Sequence, residues 1–126
     1  MAWNVYIMEV MNTSKNRSGK IEYYTGIAYS PTESTKEVLK NIFRRFHEHR
    51  CHYKSNWMNG TRKKPRRMVY VENSYKNRKS AEIREQEIKN KGRYYKEKLI
   101  SDFREQNPYL IDYIDNYFYR YARYCY

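Results

Sequence analysis

From Ala2 to Val10 apolar and polar residues alternate among good β-formers, so this segment reads as a strand. Asn12 to Gly19 is turn chemistry, and Ile21 to Ala28 is a second strand that would complete an antiparallel hairpin. Pro31 to Ser34 punctuates the chain. Val38, Leu39, Ile42, Phe43 and Phe46 then fall at helical spacing, which predicts a helix from about Thr35 to about His49. Arg50 to Pro65 reads as a polar, basic loop and Arg67 to Glu72 as a third strand. A helix follows over Asn77 to Lys91, with Asn77 or Ser80 as its cap and Gly92 near its end. Arg93 to Phe103 is expected to be helical as well. Asn107-Pro108 is a good helix start, and Leu110, Tyr113, Ile114, Tyr117, Phe118 and Tyr121 then make one apolar-aromatic stripe along Pro108 to Tyr124. The order β-β-α-β-α-α predicts an α+β fold, a small three-stranded antiparallel sheet flanked by helices. The main domain would span residues 1–104. Residues 105–126 would be a helical extension packed on it or forming an interface with a second copy or another protein.

Charge changes the picture most. At 126 residues the chain has room for one modest core, yet it carries a formal net charge of +12. A polyanion is therefore the expected partner, most often nucleic acid. Mean hydropathy is −1.16, low enough to suggest disorder, but 16 tyrosines supply rings that build a core while keeping a polar tip. No run has the apolar length of a membrane span, and Met1-Ala2-Trp3-Asn4 lacks a signal-peptide layout. With only Cys51 and Cys125, an intracellular, reducing compartment is expected.

The candidate chemistry lies in an ordered set of short runs. Val5-Tyr6-Ile7 and Tyr24-Thr25-Gly26 are followed by Arg44-Arg45 with His49, and then by Glu85 within Arg84 to Lys89. On a helix Glu85 shares a face with Ala81 and Ile88, where a carboxylate is costly unless it meets a cation or a metal. On local grounds an ion pair with a lysine or arginine is the plainer reading.

Taken together the chain resembles the GIY-YIG nuclease family, over about residues 3 to 100. The small stand-alone members match best: an opening Trp3, Val5, Tyr6 and Ile7, the YTG run, RRxxxH, then PxxxVYVE from Pro65 to Glu72 and SAxxRExxIK from Ser80 to Lys89. Each fragment alone is weak, and their order is the signal. The resemblance implies a metal-dependent DNA endonuclease in which Tyr24 is, or shares, the general base, with Tyr6 beside it on the adjacent strand. Arg45 would steady the charged phosphate, Glu85 would ligate Mg2+ or Mn2+, and His49 would lie near the phosphate. A phenol serves as base near neutral pH only where cations favour the phenolate.

Asn4 stands where the family has glycine, and Thr25 where its name has isoleucine. The stretch between Tyr24 and Arg45 is also longer than the family's, which could re-aim Arg45 and leaves Arg44 as the alternative. Arg44, Lys54, Arg62, Lys63, Lys64, Arg66 and Arg67 are expected to contact nucleic-acid phosphates. Tyr53 and Trp57 would either stack on an unpaired base or pin their loop to the core. His47, His49, Cys51 and His52 invite a zinc reading, but tight alternation lets few of them converge on one ion. The alternative function is a non-catalytic nucleic-acid-binding module on the same fold. A basic membrane-surface protein is a third reading. The absence of a separate recognition domain favours structure-selective or weakly selective cutting.

Overall fold

The computed structural model describes residues 2–12, 20–52 and 63–121. It contains β1 (Ala2–Asn12), β2 (Lys20–Ser30), α1 (Thr35–His52), β3 (Lys63–Tyr75), α2 (Arg78–Gln106) and α3 (Pro108–Tyr121). The sheet has the order β2-β1-β3 and both pairings are antiparallel, so the α+β expectation holds.

β1 is the central strand, and its alternating side chains are buried on both faces. Tyr6 and Met8 point one way, Val5 and Ile7 the other, and all four are inaccessible to solvent. Val38, Leu39, Ile42, Phe43 and Phe46 of α1, Met68, Val69 and Tyr70 of β3, and Ala81, Ile88 and Phe103 of α2 complete the core. Asn4 is buried as well. Its amide donates to the Ala28 carbonyl and to Ser30 Oγ, both at 3.1 Å, which ties β1 to the end of β2.

The β1–β2 register runs unbroken from Ala2↔Ser30 to Asn12↔Lys20. The β1–β3 pairing instead shifts register at three places. β3 is also longer than its apolar stretch: it begins at Lys63, not Arg67, and α1 runs on to His52, so the predicted loop over 50–65 shrinks from both ends. Pairing with the whole of β1 draws the basic residues into the sheet, and Pro65 is tolerated because β3 is an edge strand. Lys54 and Arg62, with Tyr53 and Trp57, lie outside the described residues.

Ser34 caps α1, its Oγ accepting from the Glu37 N–H at 3.3 Å. Asn77 caps α2, its side chain accepting from the Ser80 N–H at 2.9 Å. α2 joins the two expected helices across Gly92, whose φ of 81° and ψ of −172° interrupt the helical backbone. α3 starts after Asn107 as expected, but its buried residues are Ile111 and Ile114, with Leu110 and Tyr117 partly covered. Tyr113, placed in the predicted stripe, is 59 % exposed. Asp115 turns the helix instead, meeting Arg67 at 3.3 Å and Arg104 at 3.1 Å. No helix among the described residues is long and apolar enough to cross a membrane.

Gly92 occupies a backbone region essentially reserved for glycine, while a Cβ there would touch nothing within 4 Å. Gly92→Ala should therefore destabilise the protein by about 1–3 kcal/mol through backbone strain alone. Urea denaturation checks this, and an unchanged midpoint would contradict it.

Candidate active site

The β1–β2 register sets Tyr6 directly opposite Gly26, and Tyr24 lies two residues along β2 on the same face. The Tyr6 ring lies across Gly26. A Cβ at that glycine would sit 2.5 Å from Tyr6 Oη, 2.6 Å from its Cζ and 3.1 Å from Tyr24 Cε1. Only a residue without a side chain lets the two phenols crowd this part of the sheet.

α1 closes the site from the other side. Tyr6 Oη is 2.8 Å from His49 Nε2, and both side chains are wholly buried. The Tyr24 ring meets the His49 imidazole edge-on at 5.0 Å and lies 6.4 Å from the Tyr6 ring. His49 Nδ1 has no hydrogen-bond partner among the described residues. Burial, helped by the nearby Arg45 charge and opposed by Glu48, lowers the His49 pKa to about 4, so the imidazole is neutral at pH 7. Burial likewise raises the Tyr6 pKa, with Tyr24 and Glu85 adding to it and Arg45 opposing, so Tyr6 stays a neutral phenol. Tyr24 is only partly buried.

Arg45 faces these groups. Its Nη1 donates to Glu48 Oε2 at 2.7 Å. Burial alone would lower its pKa, but Glu48 and Tyr6 together raise it. Arg44 points elsewhere: its side chain is 55 % exposed and it pairs with the other oxygen of Glu48. The long stretch before Arg45 thus does not carry it off the site. β2 continues to Ser30 and α1 starts at Thr35, so most of the extra length is regular structure.

Glu85 arrives on α2. That helix is fixed to the sheet one residue earlier, where Arg84 Nε meets Glu72 Oε1 at 2.9 Å and Glu72 also accepts from Tyr70 and Tyr75. The Glu85 carboxylate is one-fifth exposed and pairs with Lys89 at 2.9 Å. Lys89 Nζ in turn lies 5.8 Å from the Tyr24 ring centre. The ion pair expected on local grounds is present, and it sits beside the tyrosines. Tyr6, Tyr24, Arg45, His49 and Glu85 therefore come together from four elements.

Some candidates go elsewhere. Arg67 is drawn to the opposite face of the sheet, where its Nε meets Glu9 at 2.7 Å and its Nη1 meets Asp115. These contacts bind β1 and α3 to β3. Arg66 is half-exposed and 3.7 Å from Glu9. Lys63 and Lys64 lie at the start of β3, opposite Asn12 and Met11. His47 Nε2 is 2.6 Å from the Tyr117 hydroxyl of α3, so His47 and His49 serve different partners. No group of three or more His, Cys, Asp or Glu that could hold a metal occurs among the described residues.

Three site residues escaped the sequence reading: Gly26, Glu48 and Lys89. Gly26 was inside the YTG run. Glu48 is three residues after Arg45 and Lys89 four after Glu85, both spacings that bring side chains together on a helix. As a donor set, one carboxylate suits a hard ion such as Mg2+, which takes one or two carboxylates and completes its shell with water and phosphate oxygens. No family profile, curated protein or solved structure matches this chain.

Gly26→Ala should cost about 1–3 kcal/mol through overpacking. In combination with Tyr6→Ala the penalty should be well below the sum, because the atoms it strikes are gone. Additive penalties in denaturation would contradict the packing described. His49 makes a second prediction. Between its ordinary pKa of about 6.5 and its folded value of about 4, the unfolded chain binds a proton that the native state refuses. Stability should therefore fall on acidification through that window, by roughly 3 kcal/mol at full extent. His49→Gln should show a flatter profile from pH 6.5 to 5; parallel profiles would contradict it.

Proposed function

We propose that the chain is a metal-dependent DNA endonuclease that hydrolyses phosphodiester bonds with a tyrosine-activated water. The observation that supports this most is the convergence of two phenols, a guanidinium and a carboxylate from β1, β2, α1 and α2 at one place. The resemblance to GIY-YIG nucleases assigns chemistry to the same residues, and the net charge of +12 suits a polyanionic substrate.

Tyr24 takes the proton from the attacking water. It is the partly exposed phenol of the pair, and Lys89 Nζ lies 5.8 Å from its ring centre. Tyr6 does not share that step, since burial holds its proton in place. Tyr6 and His49 instead form a neutral, buried brace that keeps α1 against the sheet and Arg45 beside the phenols. Arg45, oriented by Glu48, offsets the charge that builds on the phosphate oxygens. Glu85 would hold the divalent ion, which would supply charge stabilisation at the leaving oxygen. Lys89, the present partner of Glu85, keeps that carboxylate compensated before substrate arrives.

Plasmid nicking with Mg2+ tests the reading. Glu85→Ala, Tyr24→Phe and Arg45→Ala should each lower the rate by about a hundredfold or more, while DNA still binds. Chelation should abolish nicking by the parent. Equal nicking by the parent and Glu85→Ala would defeat the proposal. DNA binding without nicking by the parent would favour the non-catalytic module.

A further inference from the structure

The face shared by α1 and α3 carries a second feature that the cutting reaction does not use. Lys36, Lys40 and Arg44 follow one another at helical spacing along α1, and with Phe43, His47, Tyr113 and Tyr117 they line an open groove of about 480 Å³. Among the described residues, no acidic side chain lines it. Lys36 and Lys40 are exposed and have no ion-pair partner among the described residues. The floor is aromatic. The Phe43 and Tyr117 rings stack at 3.9 Å and 9°, and Phe43 lies nearly parallel to Tyr113 at 6.3 Å and 22°. His47 fixes Tyr117 through its hydroxyl. Tyr113 therefore has one side against Phe43 and more than half its surface in solvent.

Cations in a row beside an exposed, oriented ring are what unpaired nucleotides require. Each base has a face that stacks on an aromatic ring, and the lysines follow the phosphates. Stacked base pairs in a duplex offer no such face, so this surface suits single strands. We propose that the α1–α3 groove binds single-stranded DNA, with Tyr113 as the stacking platform and Lys36 and Lys40 as phosphate contacts. This goes beyond the proposed cutting reaction and stands without it. It also adjoins the candidate site, because Glu48 bonds both Arg44 at the groove and Arg45 beside the tyrosines.

Fluorescence anisotropy with a labelled oligo(dT) and a blunt duplex of equal length, in EDTA and on the full chain, tests it. Tyr113→Ala should weaken single-strand binding by about 5- to 150-fold while leaving duplex binding and the melting temperature unchanged. Lys36→Glu with Lys40→Glu should weaken it as well and reduce its salt dependence. Unchanged single-strand affinity in both variants, or an equal loss for the duplex in Tyr113→Ala, would overturn the proposal. A dimer seen by sedimentation that Tyr113→Ala dissolves, with oligo(dT) affinity unchanged, would assign the face to a second copy and likewise overturn it. Because no step needs catalysis, a failure here is distinct from a failure to nick DNA.

Discussion

Everything at the candidate site hangs on the hydroxyl end of the Tyr6 ring packing against Gly26. That packing needs the β1–β2 register to run without a slip, since one step would turn Tyr6 to the other face of the sheet. It also needs an absent side chain on β2. Given both, the Tyr6 hydroxyl reaches His49, which draws α1 close enough to put Arg45 beside the phenols. The bulges that shorten regular pairing are confined to the β3 side, where Glu9, Arg67 and Asp115 fasten α3 to the sheet. One edge of β1 is strict and carries the candidate site; the other is irregular and anchors α3.

Electrostatics follows the same division. The chain has far more cations than carboxylates, and the partly buried carboxylates Glu72, Glu48 and Glu85 are each claimed. Glu72 holds Arg84 despite a burial that would favour its protonation, and the pair keeps its pKa low. Glu48 is held charged in the same way by Arg45 and Arg44. Beside Tyr24, Glu85 and Lys89 form an ion pair at 2.9 Å. Ion pairs that remain partly open to solvent contribute little stability. Their effect is to fix where guanidinium and ammonium groups stand, and that placement is what a phosphate would meet. The surplus cations, such as Lys36 and Lys40, remain exposed.

The period of the hydrophobic pattern made most of the fold legible. Alternation marked β1 and β2, the 3.6-residue spacing marked α1, and Gly92 and Asn107-Pro108 marked breaks that the structure keeps. The start of β3 was not legible, because Lys63 to Arg67 carries no strand signal of its own and is extended only by pairing with β1. The covered flank of α3 was not legible either: a helical stripe does not say which side the neighbours cover, and Ile111 is buried while Tyr113 is exposed. The site was legible as a set of residue types in order, not as contacts. Arg67 shows the limit most clearly. A basic run reads as one surface, yet strand alternation and Glu9 send this arginine to the face away from the tyrosines. Glu48 and Lys89 were hidden because a carboxylate or an amine on an exposed helix face is ordinary until its partner is known.

On the proposed function, Tyr6, Tyr24 and Glu85 would share one metal-and-phosphate site. That sharing is tested most directly by NMR of the protein with labelled tyrosine rings, titrated with Mn2+ in the presence of a non-cleavable DNA. The Tyr6 and Tyr24 ring signals should broaden first among the 16 tyrosines, and Glu85→Gln should abolish the effect. Broadening spread evenly over the tyrosines, or unchanged by Glu85→Gln, would contradict it.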